Sequence, residues 1–284
     1  MGTAVDYGSG PPRRSRSPHR AKLRRVTSVQ DPAPVAPPDG SPLAPTLTAT
    51  LSDFHAERPA GADEDVHMLS ALVDHVLDRC SRAGDTVFDP FAGFGTTLAR
   101  AAARDRHAIG IELLPERVDL LRALVPAAQT IEGDARELLR LLHESDRRAG
   151  RIELVLTSPP YMTRENHDAD PLMAYERGGG DYDRYLAELG LVAAQCARAV
   201  APDGYVVWNV ADIASDGVRT PLIADCTRLL ARHLRHLGTT EIVWDRYPHD
   251  LVRDALLVFQ RPRRASSSAT AARTSSRSSC SLTV

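Results

Sequence analysis

Apolar positions along the chain alternate between helical spacing and short continuous runs. Residues 69–77 have apolar side chains at helical spacing, and Gly84-Asp85 then separates them from the apolar run 86–88. Further helical patterns cover residues 96–104, 115–124, 185–200 and 220–234. Strand-like runs cover residues 86–88, 107–112, 130–131, 152–156, 205–210, 241–244 and 256–259, about seven in all. This alternation predicts an α/β fold with a largely parallel sheet.

Both ends of the chain lack this pattern. Residues 1–50 contain nine of the twenty prolines, mixed with Gly, Ser and Arg, and residues 263–284 are rich in Ser, Thr, Ala and Arg. Segments of this composition do not bury enough apolar surface to fold. We therefore expect a disordered Pro/Arg-rich tail over 1–50, one folded domain over 51–262 and a disordered Ser/Arg-rich tail over 263–284.

The composition argues against several kinds of protein. No run of about 18 apolar residues occurs, and the first residues lack the apolar segment of a secretory signal, so we expect a cytoplasmic protein without a membrane partner. The four cysteines, Cys80, Cys196, Cys226 and Cys280, are far apart and form no C-x-x-C pair. They therefore indicate neither a metal site nor a disulfide framework.

The net charge of −2 hides a division along the chain. Residues 1–50 carry +4 and residues 261–284 carry +5, which leaves −11 for residues 51–260. An acidic centre repels phosphate groups. A nucleic-acid partner would therefore have to be attracted by the tails or by local arginine clusters.

A glycine-rich turn joins the first predicted strand to the next helix, and it reads Asp89-Pro90-Phe91-Ala92-Gly93-Phe94-Gly95-Thr96-Thr97. Glycines let backbone amides approach a ligand, so the turn is a candidate cofactor site, although a tight turn without a ligand has the same pattern. A dinucleotide fingerprint would need glycine where Leu98 stands, which disfavours NAD. If a cofactor binds here, a bulky residue at Gly95 is expected to abolish binding and leave the fold largely intact.

Acidic side chains follow the next two strands. Glu112 lies about twenty residues after the turn, where a carboxylate can accept hydrogen bonds from both ribose hydroxyls, and alone it is a polar strand end. Asp134, followed by Ala135, can accept from an adenine amine or can cap a helix. Open α/β sheets bind ligands at the carboxyl ends of their strands, so the three features together indicate one adenosine across this edge.

The fourth predicted strand ends in Ser158-Pro159-Pro160-Tyr161. Two prolines cannot continue the hydrogen-bond ladder and leave carbonyl groups without local partners. The Ser158 side chain and the Pro159 carbonyl can both accept hydrogens from an amino group, and Tyr161 offers a face for stacking. An aryl amine is a poor nucleophile, so acceptors that orient its lone pair favour methyl transfer to it. The alternative is a proline-terminated strand with a buried tyrosine.

The turn and the proline motif together resemble those of the amino-methylating DNA methyltransferases, in which they read D-P-F-x-G-x-G-T and [S/D/N]-P-P-Y. The resemblance covers about residues 54–260. It implies a seven-stranded, mostly parallel Rossmann-like methyltransferase sheet with helices on both faces and a reversed final hairpin. It also implies S-adenosylmethionine as cofactor and no metal.

The resemblance assigns roles to individual residues. Glu112 would hold the ribose, Asp134 the adenine amine, and Asp89 would lie near the methionine ammonium. The candidate cofactor-binding residues are Asp89, Phe91, Ala92, Gly93, Gly95, Thr96, Thr97, Glu112, Asp134 and Ala135. The candidate catalytic residues are Ser158, Pro159, Pro160 and Tyr161.

The serine in this motif is similar to the cytosine-N4 branch of the family. The implied activity is therefore site-specific DNA methylation at cytosine N4, with adenine N6 as the second choice. The candidate substrate loop, residues 162–184, is short for reading a major groove and can equally close over a single-stranded base or an RNA. An RNA methyltransferase similar to the tRNA guanine-N2 enzymes and a non-catalytic nucleic-acid-binding relative stay open as alternatives.

Overall fold

The computed structural model describes residues 40–59, 62, 67–145, 151–160, 182–215 and 218–263. Helices and strands alternate through this part of the chain, as the apolar pattern predicts. The strands are β1 (Thr46–Ala49), β2 (Thr86–Asp89), β3 (His107–Glu112), β4 (Gln129–Glu132), β5 (Ile152–Thr157), β6 (Val200–Ser215), β7 (Val218–Thr220), β8 (Arg235–Trp244) and β9 (Leu251–Gln260). The helices are α1 (Leu51–Ala56), α2 (Ser70–Cys80), α3 (Thr96–Ala102), α4 (Pro115–Leu124), α5 (Leu138–Glu144), α6 (Tyr182–Ala199) and α7 (Leu222–Ala231).

One mixed sheet contains the described strands in the order β1-β8-β9-β6-β5-β2-β3-β4, with β7 beside β6. Strand β9 is antiparallel to both of its neighbours, β6 and β8. The other pairs along this order are parallel. The predicted α/β class, the mostly parallel sheet and the reversed final hairpin are therefore confirmed, and the sheet has nine described strands instead of seven.

The first additional strand, β1, corrects the expected boundary of the folded domain. Residues 46–49 pair in parallel with β8, and Leu43 and Ala49 are buried. The Thr240 hydroxyl also donates to the Ala44 carbonyl at 2.7 Å. The high proline content of residues 1–50 concealed a segment too short for its periodicity to stand out. Residues 1–39 and 264–284, and most of the candidate loop 162–184, lie outside the described residues.

Apolar side chains cover both faces of the sheet. Helices α5, α6 and α7 pack on one face with Phe88, Val155 and Trp208, and helices α1 to α4 contribute to the other face with Val87 and Leu154. Consecutive strand residues point to opposite faces, so a sheet covered on both sides reads as a continuous apolar run. This is why the central strands were recognisable from sequence.

Other sequence-based expectations concern membranes, thiols and metals. Among the described helices, none is long and apolar enough to cross a membrane. Within the same residues, Cys80, Cys196 and Cys226 are buried and unpaired by disulfides. The described part of the chain contains no group of three His, Cys, Asp or Glu side chains placed to hold a metal ion.

Strand β1 gives the first testable prediction. Removing residues 1–50 deletes the β1–β8 ladder and the buried Leu43 side chain, so the free energy of unfolding should fall by about 2–4 kcal/mol. Denaturant titration of this truncation measures the loss, with a truncation of residues 1–39, which keeps β1, as the control. Equal unfolding midpoints for the two truncations would show that β1 contributes nothing to stability.

Candidate cofactor and acceptor site

A cavity opens at the edge of the sheet where β2, β3 and β5 end. Every predicted site residue within the described residues lines it, and Tyr161 lies outside them. The predicted residues in its wall are Asp89, Phe91, Ala92, Gly93, Gly95, Thr96, Thr97, Glu112, Asp134, Ala135, Ser158, Pro159 and Pro160. The cavity therefore brings the glycine turn, both acidic strand ends and the proline motif together.

The glycine turn is fixed to strand β3. The Ala92 amide donates to the Ile111 carbonyl at 2.9 Å. The Glu112 carboxylate accepts from the Gly93 amide at 2.8 Å and from the Leu114 amide at 3.0 Å. Burial raises the pKa of Glu112, and these backbone donors oppose the rise. Glu112 is thus more than a polar strand end, because it holds the turn in place.

The two glycines of the turn have different surroundings. Both have left-handed φ values, +52° for Gly93 and +87° for Gly95. A Cβ atom on Gly95 would collide with the Leu121 side chain in the core, whereas a Cβ on Gly93 would meet nothing closer than the Phe91 carbonyl, at 3.9 Å. A bulky residue at Gly95 is therefore expected to disturb the packing of the core as well as the turn. Gly93 is the position that faces open space.

Asp89 links the turn to the strand that carries the proline motif. Its carboxylate accepts from the Phe91 amide at 3.0 Å and from the Thr157 hydroxyl at 2.5 Å. Asp89 is only 3% exposed, and burial raises its pKa to about 6 against the opposing effect of these donors. Because Thr157 directly precedes Ser158, this hydrogen bond fixes the two motifs relative to each other.

Asp134 adopts the capping role that the sequence left open. It lies at the start of a 3₁₀ turn, Ala135–Glu137, and accepts from the Arg136 amide at 2.8 Å. The Arg136 guanidinium bridges Asp134, at 2.6 Å, and Glu188 of α6, at 2.7 Å. Burial acts to raise the pKa of Asp134, but the Arg136 hydrogen bonds outweigh it and lower the pKa. Asp134 also lines the cavity, so capping and ligand contact are compatible.

The proline motif leaves the sheet directly after β5. Pro159 is buried, and Ser158 and Pro160 are partly exposed. The buried Tyr185 hydroxyl donates to the Pro160 carbonyl at 2.9 Å. Tyr185 thereby anchors the backbone on the C-terminal side of Pro159, a role that the helical spacing of α6 did not reveal.

The remainder of the wall was missed at the sequence level. Besides Phe91 and Phe94 of the glycine turn, four aromatic or imidazole rings line it: Phe54 from α1, His67 from the segment before α2, Trp244 at the end of β8 and His249 from the following turn. His67 stacks on Phe54 with ring centroids 4.4 Å apart, and Trp244 meets Phe54 edge to face at 5.9 Å. Single aromatic residues in separate elements have no common spacing, so only the fold brings them together.

Residues 68–123 match the sequence model of the DNA methylase family N6_N4_Mtase. They comprise α2, β2, α3, β3 and nearly all of α4, and so include the glycine turn and Glu112. Over this segment the chain is similar to the amino-methylating DNA methylases. The match supports the family resemblance that the two motifs indicate. The Ser158 motif lies beyond the matched residues.

Individual proteins are similar to parts of this chain. The Type II methyltransferase M.ScaI of Streptomyces caespitosus is 29% identical over 94 residues, which are 33% of this chain and 28% of that protein. The chain thus matches less than a third of the length of this curated relative.

Two solved structures are also similar. A TehB-like methyltransferase from Corynebacterium glutamicum has a TM-score of 0.45 at 16% identity, covering 66% of this chain and 86% of its own. The N-methyltransferase NodS from Bradyrhizobium japonicum has a TM-score of 0.48 at 12% identity, covering 74% and 97%.

S-adenosylmethionine is the cofactor of the methylase family, and the cavity suits it. Gly93 leaves open space at the turn, where a ligand can approach the backbone. The carboxylates of Asp89 and Glu112 are buried in the wall. Buried carboxylates favour a cationic ligand, and the cofactor has both an ammonium and a sulfonium group.

The two glycines provide a matched pair of variants. Gly93→Ala should lower S-adenosylmethionine affinity at least tenfold while costing about 1–2 kcal/mol of stability for the left-handed backbone. Gly95→Ala should destabilise the protein by about 1–3 kcal/mol more, because its Cβ displaces Leu121. Calorimetric titration and thermal unfolding measure the two effects. The assignment fails if Gly93→Ala binds the cofactor normally.

The buried Asp89 carboxyl gives a pH-dependent prediction. Its folded pKa of about 6 exceeds the ordinary value of 3.8, so its proton stabilises the folded state at low pH, and that stabilisation is lost as the pH rises to 6. Asp89→Asn mimics the protonated form. The free energy of unfolding of the wild type relative to this variant should therefore fall by about 2.5 kcal/mol between pH 4 and pH 7. Denaturant titrations without cofactor measure the difference, and parallel pH profiles would contradict it.

Proposed function

We propose that this chain is an S-adenosylmethionine-dependent methyltransferase that acts on an exocyclic amino group of a nucleic-acid base. The observation that carries the proposal is the hydrogen bond from Thr157 to Asp89. It joins the glycine turn to the strand that ends in Ser158, so that one cavity has a cofactor side and an acceptor side. Amino methylation needs both groups of residues at one place.

The cofactor side is formed by backbone and acidic groups. The turn residues Phe91, Gly93 and Thr96 contact the methionine part, and the Glu112 carboxylate accepts from the ribose hydroxyls. The Asp134 carboxylate accepts from the adenine amine while it keeps its contacts with Arg136. When bound, S-adenosylmethionine supplies the methyl group.

The acceptor side orients the amine. The Ser158 hydroxyl and the Pro159 carbonyl accept its hydrogens, so that the nitrogen lone pair points away from them. The Pro160 carbonyl already accepts a hydrogen bond from the Tyr185 hydroxyl. Pro159 is therefore the proline whose carbonyl serves the substrate. Tyr161 stacks on the base in this proposal. The amine nitrogen would take the methyl group as the bond from that methyl to sulfur breaks, and the amine would release one proton to solvent, so no covalent enzyme intermediate is needed.

The substrate proposal is DNA, with cytosine N4 first and adenine N6 second. The DNA methylase match and the similarity to M.ScaI support DNA. The serine of the proline motif supports cytosine, and the aromatic wall suits a flat ring that has left its stack. The +4 and +5 charges at the two ends of the chain offset the acidic centre in attracting phosphate.

Ser158→Ala tests the acceptor assignment. The purified protein is incubated with methyl-labelled S-adenosylmethionine and single-stranded DNA, duplex DNA or tRNA, and the nucleosides are identified by mass spectrometry. Ser158→Ala should lower kcat at least tenfold with unchanged cofactor affinity, since it removes one acceptor of the amine. Ser145→Ala, whose hydroxyl contacts Leu142 outside the cavity, is the matched control. Methylation of ring carbons, or of tRNA alone, would refute this assignment.

A further inference from the structure

A carboxylate lies buried in the last strand, next to the acceptor side of the cavity. Asp254 of β9 is 4% exposed, and the five residues after it are apolar and buried. An unpaired buried carboxylate strongly destabilises a fold, and an apolar residue of similar volume usually packs as well or better. The acid at this position therefore calls for an explanation beyond packing.

Both oxygens of Asp254 are matched by buried donors. The Asn209 Nδ2 atom donates to Asp254 Oδ1 at 2.7 Å, and the Trp244 indole donates to Asp254 Oδ2 at 2.9 Å. Asn209 Nδ2 also donates to the Ala255 carbonyl at 3.2 Å. Both hydrogens of the Asn209 amide are thus directed at β9. The reverse orientation would set Asn209 Oδ1 against two acceptors, so the network fixes which end of the amide is which.

The strand register brings Asn209 beside the proline motif. Thr157 of β5 pairs with Trp208 of the parallel strand β6. Ser158 and Asn209 are the next residues along these two strands, and both line the cavity. Asp254 of β9 pairs with Ala211, two residues after Asn209 on β6, so the acid lies close to the Asn209 side chain.

We propose, on the basis of the function proposed above, that Asn209 is a further specificity-determining residue of the acceptor side. Its Oδ1 atom and the Ser158 hydroxyl share one hydrogen of the exocyclic amine of the base, and the Pro159 carbonyl accepts the other. Asp254 and Trp244 are positioning residues that hold the amide in this orientation. An acceptor here selects bases with an amino group, such as cytosine or adenine, over bases with a carbonyl at the same position, because two acceptors repel each other.

The first test is kinetic and uses a matched control. Asn209→Ala should lower kcat at least tenfold and leave cofactor affinity unchanged. Asp254→Asn should lower kcat by a similar factor, because an amide cannot accept from both donors. Thr240→Val is the control, since Thr240 is buried in the same hairpin but its hydroxyl contacts Ala44, outside the cavity. It should change the melting temperature and leave kcat at the wild-type value.

A double variant separates positioning from general loss of structure. If Asp254 acts through Asn209, the Asn209→Ala/Asp254→Ala double variant should have a kcat within about threefold of the Asn209→Ala variant. Independent structural damage would instead multiply the two losses. Multiplicative losses would overturn the positioning role of Asp254.

The second test reads base discrimination directly. Fluorescence anisotropy measures the binding of two pairs of single-stranded oligonucleotides. The members of the first pair carry cytosine or uracil at one position, and those of the second pair carry adenine or hypoxanthine there. The wild type should prefer the amino-bearing base of one pair at least fivefold, and Asn209→Ala should lose this preference. If the wild type methylates DNA and the Asn209→Ala variant keeps both its kcat and its base preference, the inference about Asn209 is overturned while the proposed function stands. A wild type that neither methylates nor discriminates any base refutes the proposed function and the inference with it.

Discussion

The parallel pairing of β2, β5 and β6 is the constraint on which the site depends. Parallel strands in register end at one edge of the sheet, so side chains distant in sequence meet there. Asp89 and Thr157 are 68 positions apart, yet their side chains are 2.5 Å apart across this edge. The packing on both faces of the sheet fixes the register, because a shift by one residue would move every side chain to the opposite face, against helices it does not fit. The packing of the core therefore also determines the positions of the site residues.

The wall of the cavity has an unusual share of buried acid. Asp89, Glu112 and Asp254 are each under 10% exposed, and burial raises the pKa of all three. Each accepts a hydrogen bond from a donor in the wall: the Gly93 amide for Glu112, the Thr157 hydroxyl for Asp89 and the Asn209 amide for Asp254. All of these donors belong to the folded chain, so the protein itself orients the three acids.

Most of the fold was predictable from sequence, because buried strands and amphipathic helices have characteristic periods. The limits of α4 were predicted to the residue, and the reversed hairpin followed from the family resemblance. Strand β1 was missed because four residues in a proline-rich segment have too few positions to show a period. In the site, Gly93 and Ser158 were recognisable from local motifs. Asn209, Trp244 and Asp254 were not, because tertiary pairing alone brings them together.

The glycine turn and the β8–β9 turn line the same cavity but are far apart along the chain. The cofactor side comes from residues 89–135, whereas much of the aromatic wall comes from the β8–β9 turn near its far end. Insertions or substitutions in that turn alter the acceptor wall without changing the spacing of the glycine turn and its acids. A lineage built on this arrangement can therefore acquire new targets while its use of the cofactor stays constant.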